Sequence, residues 1–449
     1  MNFASILVLT ILIILVVLAV VSLVRKKADT GYLCAGCTRD CSGCFEKCNG
    51  KKELDMNFSG EIKNELTEHI IPFWKSLRDD EYGGYYGYMD YETLEIDRKA
   101  FKGCILHSRI LWFFSNAYML LKDETLLKEA DHAYEFLKNF CFDKENGGIF
   151  WSVTYDGKPY DDTKHTYNQA FCIYALSSYY DASGRKEALI KAYELFDIIE
   201  GRMRDEGGYL EAFMRDFKPA ANDKLSENGV MADRTMNTLL HVFECYTELL
   251  RVDNNPKVRE CLKNIFDCFS DKMYNPKLHR QEVFFDMNYN SLIDLHSYGH
   301  DIETSWLMDR GLEVLNDKAY TEKISPIVKD LAENVYKTAF DGHSLNAECE
   351  KGVDNTTKIW WVQAETLVGF LNMYQKDTSD KKYLDAAICV WEYIKESVID
   401  KREGSEWLSE VDKDGVAFSK KPIVEQWKCP YHNGRMCMEA IKRLEKMNM

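Results

Sequence analysis

Polar and apolar positions along most of this chain fall into a pattern that repeats. Glycine-aromatic turn signals recur at Gly83-Gly84-Tyr85, Gly147-Gly148-Ile149-Phe150-Trp151, Gly207-Gly208-Tyr209, Gly342-His343-Ser344-Leu345 and Gly404-Ser405-Glu406-Trp407. Successive signals lie roughly 60 residues apart, with one step about twice as long, and self-similarity at a fixed period marks stacked supersecondary units. The double step places an unmarked unit near Val283-Phe284-Phe285-Asp286, where no glycine stands. After each signal comes a turn, then a run whose apolar positions have helical spacing. These runs cover 101–122, 164–183, 233–251, 297–315, 355–375 and 430–446, and they are rich in aromatic and small residues. A second helical stretch separates each run from the next signal, for example over 125–140 and 186–203. Six helix pairs with short hairpins at one end predict an all-α (α/α)6 barrel, its inner ring made by the aromatic-rich runs. Such a barrel closes its core on itself, so a single domain is expected over 53–449.

Composition supports a large core and narrows the partners. Of 449 residues, 46% are hydrophobic and 13% aromatic. The net charge of −16 argues against nucleic acid as a partner, because that binding depends on neutralising phosphates with Lys and Arg. Ahead of the repeats, Phe3 to Val24 carries no charge and is followed by Arg25-Lys26-Lys27. That run is long enough to cross a bilayer. A secretory signal would put its positive charge before the apolar stretch instead. The expectation is one N-terminal transmembrane helix with a basic flank over 1–27, and by the positive-inside rule a cytoplasmic catalytic domain on a single-pass membrane protein.

Ten of the 15 cysteines are scattered among apolar helical stretches, as suits free buried thiols in a reducing compartment. The other five, Cys34, Cys37, Cys41, Cys44 and Cys48, sit in a linker over 28–52. Their spacing could form an accessory metal cluster.

The candidate chemistry gathers at the start of each inner run. His107 and Arg109 lie on the first, His165, Tyr167 and Asn168 on the second, and Asn237 and His241 on the third. The fourth carries His296, His300, Asp301 and Glu303. Trp360, Trp361 and Glu365 open the fifth, and His432 and Arg435 the last, just after Trp427. Parallel inner helices would bring these groups to one mouth, where helix N-termini favour developing negative charge. His300 and Glu303 are three apart and share a helix face, so the carboxylate is expected to hold one imidazole tautomer. Tryptophans at a polar mouth are suited to stacking on sugar faces. No Gly-rich phosphate loop, nucleophile elbow or HExxH is present, and His296 with His300 lacks a third ligand at metal-site spacing.

Four strings carry a resemblance. They are Lys164-His165-Thr166-Tyr167-Asn168-Gln169-Ala170-Phe171, Met236-Asn237-Thr238, Ser297-Tyr298-Gly299-His300-Asp301-Ile302-Glu303 and Trp427-Lys428-Cys429-Pro430-Tyr431-His432-Asn433. With them, residues 57–446 resemble the N-acylglucosamine 2-epimerase superfamily, and the last string is similar to its disaccharide epimerases. The resemblance implies an isomerase that reversibly epimerises C2 of the reducing-end sugar of a β-1,4-linked disaccharide, cellobiose to glucosyl-mannose, through a cis-enediolate. Mannobiose epimerisation, monosaccharide epimerisation or aldose–ketose isomerisation are the alternatives. It further implies that His300 and His432 are the acid/base pair and that Arg109 and His241 hold substrate oxygens and assist ring opening. Tyr167, Asn237, Glu303 and Glu365 would position the sugar and the imidazoles, while Trp360, Trp361 and Trp427 would contact the rings. The expected partner is a disaccharide or oligosaccharide, with neither cofactor nor catalytic metal.

Overall fold

In the computed structural model, residues 53–225 and 228–447 are described. Contacts divide the chain into two units, Met1–Phe58 and Ser59–Met449. The described part of the first is the opening of a helix, α1 (Glu53–Asn64), which continues through a π-helical stretch, Glu65–Ile70, into α2 (Ile71–Ser76). The account below concerns the second unit.

That unit alternates two kinds of helix. The first kind comprises α3 (Cys104–Leu121), α5 (Thr166–Ser183), α7 (Met236–Asp253), α9 (Tyr298–Leu315), α11 (Trp360–Lys376) and α13 (His432–Lys446). Between them lie α4 (Glu124–Phe136), α6 (Lys186–Arg202), α8 (Pro256–Cys268), α10 (Lys318–Thr338) and α12 (Lys382–Tyr393). Burial separates the two sets. In α5 every residue from Thr166 to Tyr179 is buried. In α8 only Val258, Cys261, Leu262, Ile265 and Phe266 are, which is one apolar stripe at helical spacing. A helix buried all round lies inside, and a one-sided helix covers it. The inner helices pack in chain order, each on the next, and α13 packs back on α3 to close the ring.

Short strands tie each unit to its successor. Residues just ahead of an inner helix pair antiparallel with residues past the following outer helix: Lys102–Gly103 with Ser152–Val153, Lys164–His165 with Ala212–Phe213, and Arg234–Thr235 with Phe284–Phe285. Leu295–Ser297 pairs likewise with Glu348–Glu350, and Lys358–Ile359 with Glu410–Val411. The unit without a glycine signal thus sits at Phe284–Phe285, where the spacing placed it.

A polar staple recurs beside these strands. Asp79, Asp143, Asp205, Asn275 and Asp341 each cap their own turn, accepting backbone N–H bonds from residues two and three further on. A cation just before the next inner helix then seizes the aspartate: Lys102 at 2.6 Å on Asp79, Lys164 at 2.8 Å on Asp143, Arg234 at 2.6 Å on Asp205, Lys358 at 2.5 Å on Asp341. An inner-helix side chain completes the grip. His107 accepts the Tyr85 N–H at 2.9 Å, Gln169 that of Ile149 at 2.8 Å, and Gln363 that of Leu345 at 2.8 Å. Four of these turns are thereby fixed to the start of the following inner helix, which is where the candidate site lies.

The transmembrane expectation requires correction. Among the described residues no helix is long and apolar enough to cross a membrane, and Phe3 to Val24, for which the span was expected, lies outside the described residues. Four of the inner helices reach 18 residues, but they interleave their apolar residues with buried polar ones such as Arg109, His241 and Glu303. The described residues therefore form the helical barrel and give no support to the single-pass membrane localisation or the membrane partner. The linker cysteines Cys34, Cys37, Cys41, Cys44 and Cys48 also lie outside the described residues. The other ten are free thiols.

Candidate active site

The site is built by register. Arg109, His241, Glu303 and Glu365 are each the sixth residue of their inner helix, and Phe171 is the sixth of α5. Tyr167 and Asn237 are second residues, Trp360 and Trp361 open α11, His300 is third in α9, and His432 begins α13. Equivalent positions on parallel helices reach equivalent depth, and the contacts confirm the convergence. Arg109 lies over the Phe171 ring at 4.1 Å, and Phe171 lies 4.6 Å from His241. Tyr167 stands edge-on to His241 at 4.9 Å and accepts a 2.8 Å hydrogen bond from Arg109 Nη2.

The two imidazoles named as an acid/base pair both pack against one indole. Trp361 is 4.8 Å from His300 and 5.4 Å from His432, centre to centre. The Gly299 position allows this, because a Cβ there would come within 2.7 Å of the Trp361 ring. His432 Nδ1 meets Glu365 Oε1 at 2.7 Å, and Glu365 Oε2 accepts from Trp306 at 3.0 Å. His300 Nδ1 meets the Ser297 hydroxyl at 2.7 Å. Glu303 is bonded to Arg435 instead, so the expected His300–Glu303 pairing is corrected: the shared face turns the carboxylate inward and the imidazole to the mouth.

Arg109 is the group with the most chemical potential. Its guanidinium is buried, yet among the described residues no carboxylate lies within ion-pair distance. Its partners are the Tyr167 hydroxyl, Cys429 Sγ at 3.7 Å and the Trp427 carbonyl at 3.5 Å, and its Nε has no partner. Asn237 Oδ1 is also buried without a partner. A buried cation without a counter-ion is costly, and it is suited to an oxygen that becomes negative during reaction.

Withdrawal from water sets the protonation states. It pulls half-buried His300 down to about 3, with His241 adding charge repulsion. It lowers His432 well below the ordinary histidine range, helped by the charges of Arg435 and Arg109. Burial thus favours the neutral, proton-accepting form of each imidazole. Burial raises Glu303 to about 7, with Glu365 beside it contributing. Burial also opposes the charge of Glu244, but Arg435 and His241 outweigh it and leave that carboxylate at about 2.

Other histidines singled out from the sequence are structural. His107 uses both ring nitrogens, on the Gly103 carbonyl and the Tyr85 N–H. His296 pairs with Asp301 at 2.8 Å. His165 packs 4.7 Å from Trp151. Asn168 donates to the Phe150 carbonyl at 2.8 Å and so fastens a turn.

Sequence reasoning missed Glu244, Ser297, Trp306 and Tyr431, and it left Arg435 without a role. The signal for Glu244 was present, three residues after His241 on the same helix. Trp427 is half-buried, edge-on to Trp151 at 5.6 Å and Tyr167 at 5.8 Å. It borders a cavity of about 380 Å³ shared with Trp151, Phe101, Tyr160, Asp161 and Lys224. Trp360 is buried under the Lys428 ammonium, 4.3 Å from its ring. Glu303, Glu365 and His432 place ligand-type atoms within 4.8 Å of one another. Arg435 Nη2 already donates to both carboxylates, so a guanidinium fills the place where a cation would sit.

Fold and site together define a helical-barrel enzyme equipped for proton transfer on a polyhydroxylated substrate. Comparison with known proteins narrows that class. The family description "N-acylglucosamine 2-epimerase (GlcNAc 2-epimerase)" matches residues 83–433. A cellobiose 2-epimerase of Eubacterium cellulosolvens is 54% identical over 397 residues, covering 85% of this chain and 97% of the relative. A sugar epimerase from a ruminal bacterium superposes with a TM-score of 0.84 at 53% identity, covering 86% of this chain and 99% of its own. The cellobiose 2-epimerase of Bacillus thermoamylovorans B4167 does so at 0.82 and 46%, with 86% and 99% covered. The chain belongs to the N-acylglucosamine 2-epimerase family.

Proposed function

We propose that this protein is an isomerase that reversibly epimerises C2 of the reducing-end sugar of a β-1,4-linked disaccharide, converting cellobiose to glucosyl-mannose. The observation that carries the reading is the pair of imidazoles, His300 and His432, both packed against Trp361, beside a buried guanidinium that has no carboxylate partner among the described residues. Relatives at 54% identity over most of the chain bear the name of that reaction.

Epimerisation needs an open-chain aldehyde, whose C2 proton is weakly acidic. One neutral imidazole takes that proton, and the C–H electrons move into the carbonyl to give a cis-enediolate. The other imidazole delivers a proton to the opposite face of C2, restoring the aldehyde with inverted configuration. The second imidazole must therefore be protonated when the first is not, and the pair carries one proton between them. Arg109 donates to the enediolate oxygens, and a preorganised donor of this kind lowers such a barrier by roughly 3 kcal/mol; the free Nε2 of His241 accepts a hydroxyl proton in ring opening. Asn237 and Tyr167 hold the hydroxyls. Trp361 floors the reacting ring, and the cavity beside Trp427 receives the second ring.

The test is proton NMR of cellobiose incubated with enzyme in deuterated water. Glucosyl-mannose carrying deuterium at C2 is expected, and His300→Ala and His432→Ala, folded, lose the exchange. A ketose product, free glucose, or near wild-type turnover in both variants would overturn the reading.

A further inference from the structure

We propose that Arg435 and Glu244 are positioning residues that fix His241 and His432 in one shared tautomer, with Nδ1 bound inward and Nε2 free for substrate. The inference rests on the epimerase reading and extends it to side chains that do not touch the sugar. A single buried chain of contacts joins the two imidazoles. His241 Nδ1 meets Glu244 Oε2 at 2.9 Å, and Glu244 Oε1 accepts from Arg435 Nη1 at 2.5 Å. Arg435 Nη2 donates to Glu365 Oε1 at 2.6 Å, and the same oxygen meets His432 Nδ1 at 2.7 Å. An ionised carboxylate only accepts, so each Nδ1 carries hydrogen in the neutral ring and each Nε2 carries a lone pair.

Every element packed on the guanidinium contributes a charged or polar group: α7 gives His241 and Glu244, α9 gives Glu303 and Trp306, and α11 gives Glu365. Ahead of α13, Tyr431 donates to Glu244 at 2.6 Å and accepts from Arg435. The Arg435 guanidinium carbon lies 4.8 Å from the centre of the Trp306 ring and 4.2 Å from that of Tyr431, so two aromatic rings pack against it. Arg435 is 1% exposed, Glu244 3% and Glu365 0%. Three carboxyl groups thus share one guanidinium. His300 stands outside this chain, on the Ser297 hydroxyl, which can donate or accept. The tautomer of His300 is free where those of His241 and His432 are fixed.

Two readouts test this on the full-length protein. Imidazole nitrogen-15 NMR, needing no substrate, is expected to show Nδ1–H at His241 and His432, with Glu244→Gln shifting His241 to the other tautomer or a mixture. In kinetics, Glu244→Gln is expected to cut kcat by about 100-fold with KM changed less than about threefold, as loss of the correct tautomer does in other histidine–carboxylate pairs. Arg435→Lys should restore part of the kcat lost in Arg435→Met and move the acid limb of the pH profile. If Arg435→Met does not fold, Glu244→Gln and Tyr431→Phe decide. Native tautomers and an unchanged kcat and pH profile in a folded Glu244→Gln would overturn the proposal. Wild-type enzyme with the expected tautomers but no C2 exchange would overturn the epimerase reading and leave the tautomer assignment standing.

Discussion

At the scale of single residues, each group at the mouth is set by what packs against it. His300, His432, Arg109 and Trp361 announced themselves as unusual types at helix starts, and the structure brings them within one mouth. Their partners did not, because an i,i+3 spacing says two side chains share a face and not which way each turns on it. Glu303 faces the interior guanidinium of Arg435, while His300 reaches Ser297. Gly299 shows how much such detail matters. A Cβ there would meet Trp361 and Val362 at 2.7 Å, a separation that forces one of them to move. Gly299→Ala is expected to displace the indole from its place against the imidazoles, costing about 1–3 kcal/mol in stability through overpacking and lowering kcat/KM for cellobiose by about tenfold or more. Thermal melts and steady-state kinetics check both halves. Wild-type kcat/KM in the variant would mean the indole is not the floor of the site.

At the scale of elements, periodicity was the dependable signal. The six inner runs read from sequence match the inner helices to within about five residues at the ends. The staple between turn and helix was not legible, since Asp143 and Lys164 are 21 residues apart and nothing local marks them as partners. In the fold they form a buried ion pair at 2.8 Å with both side chains fully enclosed. Asp143 also caps its turn and accepts from Arg215. Removing Lys164 would leave that carboxylate short of its interior partner. Lys164→Met is expected to destabilise the protein by roughly 3–5 kcal/mol, read as a lower midpoint in denaturant. Replacing the exposed Lys218, which pairs with Asp216 on the surface, should change it by less than about 1 kcal/mol. Equal effects from the two would show that the staple is not what fastens turn to barrel.

For the whole molecule, closure of the ring decides both stability and chemistry. The inner helices are buried on all sides only because each has two inner neighbours and an outer cover. The last, α13, supplies the contact between α11 and α3. Its Gly434 lets Phe113 of α3 approach so closely that a Cβ would sit 2.5 Å from that ring. The same helix brings His432 and Arg435, so the segment that completes the wall also completes the site. The sequence made this visible, because a histidine, an indole and an arginine cluster at the start of the final amphipathic run. A chain ending at Cys429 should therefore fail as a fold and not merely as a catalyst. It would expose the apolar inner faces of α3 and α11 together, and the guanidinium linking three carboxylates would be gone. The expected result is loss of the cooperative thermal transition together with all C2 exchange. His432→Ala, which keeps the helix, should melt close to wild type and lose only the exchange. A truncated protein with a sharp transition would show that five inner helices hold the barrel without the sixth.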